Sequence, residues 1–248
     1  MIPTTIPLAL DALMRVDSAR PLVTYVGPAG ERTELSVRTF ENNVAKAANL
    51  LRDDAGATVG TRVALHLPAH WQTSVWIGAC ALVGAVAWIA GEPSDPLVEL
   101  SVVGPRTLDV PRAPLTLATA LHPFGMPFTT PLPQGILDVA LEVRAHGDRF
   151  TPYDAIHGDE SWLLTSSGAW TQSEALQQAR DFAGSVGLPD GGRLLCTRGL
   201  DDASLLALLA VPLVVGGSVV ILADESADPD EVAARERCEV ILRPDARP

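Results

Sequence analysis

Apolar and polar positions along this chain alternate between two periods. Between residues 6 and 14, Leu8, Leu10, Leu13 and Met14 follow a helical spacing, and Leu22 to Val26 then reads as a strand. The turn Gly27-Pro28-Ala29-Gly30 sends the chain back through Arg32 to Ser36, which predicts a β-hairpin. Ser36 is placed to cap a helix whose apolar face is Phe40, Val44, Ala47, Ala48 and Leu51. Val63 to Leu67 is a short apolar strand stopped by Pro68. Trp71 to Val83 is apolar on every side, as a buried helix is, and Gly84 ends it before a strand over Ala85 to Ile89. Strand, helix and strand at this spacing predict a parallel βαβ unit with helices on the sheet faces.

The pattern then loosens. Nine of the 20 prolines fall between Glu92 and Pro133, where only Leu100 to Val103 and Thr116 to Leu121 read as regular, so a connecting region of irregular packing is expected. Regularity returns at Trp162 with a strand to Thr165. Thr171 and Glu174 have capping-box spacing for a helix through Val186, and Gly187 stops it. Next come a strand over Arg193 to Thr197, a helix from Ala203 to Val211 opened by Asp201 or Asp202, and a strand over Ser218 to Leu222. Asp228, Pro229 and Glu231 start a last helix, and Glu239 to Leu242 a last strand. Four strands alternating with three helices predict a parallel, doubly wound sheet. The fold class is α/β, with layered, mostly parallel sheets and flanking helices. It is read as one domain, residues 1–248, with lobes 1–135 and 136–248.

Composition narrows the function classes. A hydrophobic share of 47% with 19% charged residues fits a packed protein and excludes a disordered one. A net charge of -12 repels a phosphate backbone, so nucleic acid is not an expected partner. The chain has a single lysine, Lys46, which lies inside the predicted second helix rather than beside a glycine turn. Cys80, Cys196 and Cys238 sit apart in apolar stretches, as reduced core thiols do, and no signal peptide or membrane-length apolar run is read; a cytoplasmic protein without membrane contact is expected.

The stretch Leu22 to Ala90 resembles the opening of the adenylate-forming (AMP-binding) superfamily, which includes acyl-CoA synthetases, luciferases and peptide-synthetase adenylation domains. The residues that carry the resemblance are Val59-Gly60-Thr61-Arg62-Val63-Ala64-Leu65-His66-Leu67-Pro68 and Ala81-Leu82-Val83-Gly84-Ala85-Val86, with Thr61 where the family usually has aspartate. These are packing and turn positions, so the resemblance implies fold before activity. In the family a strand then enters a Ser/Thr/Gly-rich loop, Thr-Ser-Gly-Thr-Thr-Gly followed by proline, lysine and glycine, which wraps nucleotide phosphates with N–H groups and hydroxyls.

Here Trp162-Leu163-Leu164 leads into Thr165, Ser166, Ser167 and Gly168, and the chain is read as passing through Ala169 and Trp170 directly to the helix. The second half of the loop is missing. These four residues are the candidate phosphate-binding site, degenerate in form; no catalytic or metal-binding residue is assigned. The family's adenine-stacking aromatic, ribose-binding aspartate, metal-linked glutamate and catalytic lysine would all lie beyond Pro248. The resemblance therefore implies a truncated relative without adenylation activity of its own, acting in binding or assembly. No cofactor is expected, although ATP or AMP remains open as a ligand. The alternatives are one subunit of a split acid ligase, or a non-catalytic nucleotide or acyl binder. A homodimer or a partner polypeptide would cover exposed sheet edges.

Two other chemistries are weaker. A serine nucleophile elbow needs glycine where Leu164 or Thr165 stands. The triplets His146-Gly147-Asp148 and His157-Gly158-Asp159 lack metal-ligand spacing and read as solvated turns. His66 and His70 flank a strand end and read as packing or capping residues. Trp71, Trp76 and Trp88 belong to apolar elements.

Overall fold

The structure, a computed structural model, describes residues 3–28, 30–89, 98–110, 113–197 and 199–243. Ala29 of the first turn and residues 92–97 of the proline-rich stretch lie outside them. Twelve strands among the described residues form two sheets. The first sheet has five strands in the order β12-β10-β11-β1-β2: β1 (Pro21–Val26), β2 (Arg32–Ser36), β10 (Arg193–Cys196), β11 (Ser218–Leu222) and β12 (Val240–Leu242). The second has seven, in the order β7-β6-β5-β3-β4-β8-β9. Its members are β3 (Arg62–His66), β4 (Val86–Ile89), β5 (Val98–Val103), β6 (Leu115–Ala118), β7 (Ile136–Asp138), β8 (Ser161–Thr165) and β9 (Gly168–Thr171). Every pairing is parallel except the two hairpins, β1 with β2 and β8 with β9.

Helices pack on the sheet faces. They are α1 (Ile6–Asp17), α2 (Val37–Asn49), α3 (Trp71–Val83), α4 (Val139–Glu142), α5 (Gln172–Ser185), α6 (Asp202–Leu205), α7 (Val211–Val215) and α8 (Pro229–Glu236). The all-round apolar character of α3 has its cause here, because α3 touches β1 of the first sheet and β3, β4 and β8 of the second. Trp76 and Trp162 are buried in this layer, and the Trp162 indole N–H donates to the Ile77 carbonyl at 2.9 Å. Gly78 lets α2 come close, since a Cβ there would meet the Val44 methyl groups at 3.1 and 3.3 Å. Helix α8 covers the other face of the five-stranded sheet, its Val232 and Ala233 packing with Val26, Leu195, Val220 and Leu222.

The expected caps form: Ser36 on α2, Thr171 with Glu174 on α5, Asp201 on α6 and Asp228 on α8. Thr61 closes its turn with Oγ1, which accepts the Thr58 N–H at 3.0 Å. Two helices are longer than their apolar spacing predicts because a π-helical turn extends each: Leu50–Asp54 continues α2, and Leu206–Ala210 joins α6 to α7. Among the described residues no helix is long and apolar enough to cross a membrane.

One expectation is corrected. Strand β8 does not share a sheet with β10, β11 and β12; it lies beside β4 in the seven-stranded sheet. The two regular runs read in the proline-rich stretch form as β5 and β6, which pair with each other and, through β5, with β3. The five-stranded sheet joins β1 and β2 to β10, β11 and β12.

Candidate functional site

Parallel strands end on one side of a sheet, and the carboxyl ends of β1, β10 and β11 in one sheet face a common space with those of β3, β4 and β5 in the other. Such ends are where open α/β sheets hold ligands. The space is a cleft of about 1040 Å³. Leu65, Leu67, Ile89, Leu121, Leu200 and Leu222 give it an apolar lining, and Tyr25, His66, His70, Arg106, Thr107 and Asp224 supply polar groups. Thr107 Oγ1 donates to the His66 carbonyl at 2.8 Å and accepts the Gly104 N–H at 2.8 Å, which fastens the end of β5 to the end of β3.

His70 is the most perturbed of these groups. It caps α3, its Nδ1 accepting the Gln72 N–H at 3.1 Å, and its ring lies 4.2 Å from that of Tyr25. Burial pushes its pKa down to about 3, against a small opposing effect of the Leu121 carbonyl, so the ring is neutral. Tyr25 is held above the usual phenol range, first by burial and then by the charge of Glu31.

Thr165, Ser166 and Ser167 line a second, smaller cleft of about 650 Å³, together with Trp88, Asp201 and Asp202. The two clefts share Ile89 and Leu200 and so adjoin. The local geometry differs from a strand-to-helix loop. Thr165 pairs with Gly168 across a hairpin, and Ser166 and Ser167 form its two-residue turn. Ala169 and Trp170, read as a direct lead into the helix, belong to β9. The Ser167 N–H donates to Thr165 Oγ1 at 3.1 Å, and Gly168 takes a φ of 135°, which glycine tolerates. Helix α5 starts only after β9. Its first N–H groups are met by its own capping box, with Glu174 N–H on Thr171 Oγ1 at 3.2 Å and Thr171 N–H on Glu174 Oε2 at 2.9 Å.

The remaining sequence candidates lie elsewhere. His146 Nε2 is 2.9 Å from Asp54 Oδ2, and Lys46 pairs with Asp148 at 3.0 Å; both contacts dock the first His-Gly-Asp turn onto α2 and its π-helical end. Among the described residues no group of three or more His, Cys, Asp or Glu side chains is arranged to hold a metal ion. Cys80 and Cys196 are buried, Cys238 is half-buried, and burial pushes the Cys80 thiol up to about 12.

No protein-family model matches the chain. A TIGR03089 family protein of Mycobacterium tuberculosis is 36% identical over 255 residues, covering 97% of this chain and 98% of the relative. The chain belongs to the TIGR03089 family. Among solved structures, the acyl-CoA synthetase of Brucella canis superposes with a TM-score of 0.77 over 94% of the chain, at 17% identity. That likeness establishes the fold of this family member as that of the acyl-CoA synthetase, and the chain spans 46% of that synthetase's length.

Arg106, Thr107 and the Asp224 to Ser226 turn were not singled out in the sequence, because they meet only through the ends of strands far apart in the chain. A usable signal exists all the same: each follows directly on an apolar strand of a parallel sheet.

Proposed function

We propose that this protein binds a small ligand, or a partner, on an acyl-CoA synthetase-like scaffold and does not itself carry out adenylation. One observation carries the reading: the segment Thr165, Ser166, Ser167, Gly168 is a tight hairpin turn rather than a phosphate-wrapping loop. Its Ser167 N–H is taken by Thr165, and the next helix end is four residues away with its own cap. Stabilising a transferring phosphoryl group needs several placed donors and cations. Lys46, the one lysine, is engaged with Asp148. The smaller cleft adds the carboxylates of Asp201 and Asp202, which repel a polyphosphate held by the hydroxyls of Thr165, Ser166 and Ser167.

Magnesium-ATP titrated by calorimetry, and pyrophosphate exchange in the presence of assorted carboxylic acids, test this directly. No exchange is expected, while a ligand-dependent rise in Tm marks binding without chemistry. Acid-dependent exchange by the chain alone would overturn the proposal.

A second reading, one subunit of an acid ligase completed by another polypeptide, draws on the position of β9. This strand is an edge of the seven-stranded sheet, next to the smaller cleft, and Gly168 and Ala169 are exposed there. It predicts a stable complex that restores exchange. Light scattering distinguishes that complex from a homodimer.

A further inference from the structure

The residues leading from β3 into α3, namely Leu67, Pro68, Ala69 and His70, form one wall of the larger cleft. Behind them α3 runs for 13 residues, and the aligned peptide dipoles of such a helix leave its N-terminal end positive. His70 defines what this wall can bind. Because Nδ1 accepts the Gln72 N–H, the proton of the neutral ring sits on Nε2, which is therefore a donor. The residue is 1% exposed, and Nε2 makes no hydrogen bond of acceptable geometry.

The acceptor on that side of the ring is the carbonyl of Leu121, itself a cleft-lining residue held at a left-handed φ of 53°. A leucine in that conformation is strained, and such strain concentrates at binding sites. Among the described lining residues Arg106 carries the positive charge; it is exposed, and no ion pair or hydrogen bond engages it there. The acidic groups Asp224 and Glu225 stand on the β11 side, where Asp224 is occupied by the Ser226 N–H and O–H at 3.0 and 2.6 Å. The polarity of the cleft thus runs from an acidic side to the positive end of α3.

We propose that the α3 wall is an oxyanion subsite, where a carboxylate or phosphate oxygen accepts the His70 Nε2–H in place of the Leu121 carbonyl and Arg106 supplies the counter-charge. An apolar body attached to that head packs on Leu67, Ile89 and Leu200. The subsite is separate from the Thr165 to Gly168 turn and does not depend on it.

Calorimetric titration of the full chain with hexanoate and, separately, inorganic phosphate tests this, with the His70 Nε2–H signal followed by nuclear magnetic resonance. Binding of at least one anion should shift that signal; hexanoate alone identifies a carboxylate site and phosphate alone a phosphate site. Arg106→Gln should weaken binding about tenfold, the loss of one charge-assisted contact. His70→Asn keeps a side-chain acceptor for the Gln72 N–H but is too short to place its amide N–H where Nε2–H stands, and should weaken binding similarly, whereas Ser167→Ala should leave it unchanged. Arg106 is exposed, so its variant gives a result even where His70→Asn fails to fold. No binding of either anion, or parental affinity in Arg106→Gln, overturns the proposal. If Ser167→Ala abolishes binding and Arg106→Gln does not, the anion sits at the hairpin turn; the α3 subsite then fails while the ligand-binding function stands.

Discussion

Replacing Glu236 with glutamine should destabilise the protein at neutral pH and do so far less in acid. The Glu236 carboxylate, 5% exposed, accepts from Arg32 Nε at 2.9 Å, from Arg32 Nη2 at 3.0 Å and from Arg193 Nη2 at 3.0 Å. The same Arg193 bonds Thr24 and Ser218, so the network ties α8 to β1, β2, β10 and β11. Removing one partner of a fully buried pair costs about 3–5 kcal/mol, chiefly from the stranded charge. That cost is reduced here because Arg32 is 45% exposed and Glu34 remains beside both guanidinium groups. A loss of about 2–3 kcal/mol, or about 4–12 °C in Tm, is therefore expected.

Hydrogen bonding from Arg32 outweighs burial and holds the Glu236 carboxyl below the usual range, with Arg193 adding to it. A depressed carboxylate pKa contributes stability that is complete above the unfolded-state value, about 4.3, and is lost as pH falls through the folded-state value. Urea unfolding of parent and Glu236→Gln near neutrality and at about pH 3 measures both effects. A neutral-pH difference under about 0.5 kcal/mol, or a gap equally large in acid, would refute the reasoning.

Three further outcomes are expected. Gly217→Ala should cost about 3 kcal/mol or more by urea unfolding, since a Cβ there would collide with the Gly192 carbonyl, a backbone atom that cannot step aside. Gln172→Leu should cost about 2 kcal/mol, because the buried amide accepts the Ile6 N–H at 2.9 Å and donates to the Ala81 carbonyl at 3.0 Å, so leucine strands both. Thr171→Ala should raise amide exchange in the first turn of α5 and lower stability by about 1 kcal/mol, by opening its capping box.

The elements with a local cause were legible in the sequence. Ser36, Gly84 and the Thr171 and Glu174 pair fix where helices begin and end, and α3 was marked as buried by having no polar face. What escaped was set by distant partners. Whether β8 joins β10 or β4 depends on which face α5 buries, and neither strand's own residues state it. The strands β5 and β6 stood out from their proline-rich surroundings because neither strand contains proline.

The same division separates scaffold from chemistry. Residues that support the resemblance to adenylate-forming enzymes, such as Val63, Ala81 and Ala85, are core residues of the layer shared by both sheets. Changing them would disturb the core on which both sheets pack, so they serve the fold whatever the protein binds. The Ser166 and Ser167 turn carries no such constraint: both residues are exposed, and their hairpin is closed by backbone pairing outside the core. A segment of that kind is free to shorten without loss of the fold. The cleft between the strand ends is in the opposite position, because the sheets that hold it open are themselves the core. The binding role proposed for the cleft therefore rests on residues that the packing of the sheets already holds in place.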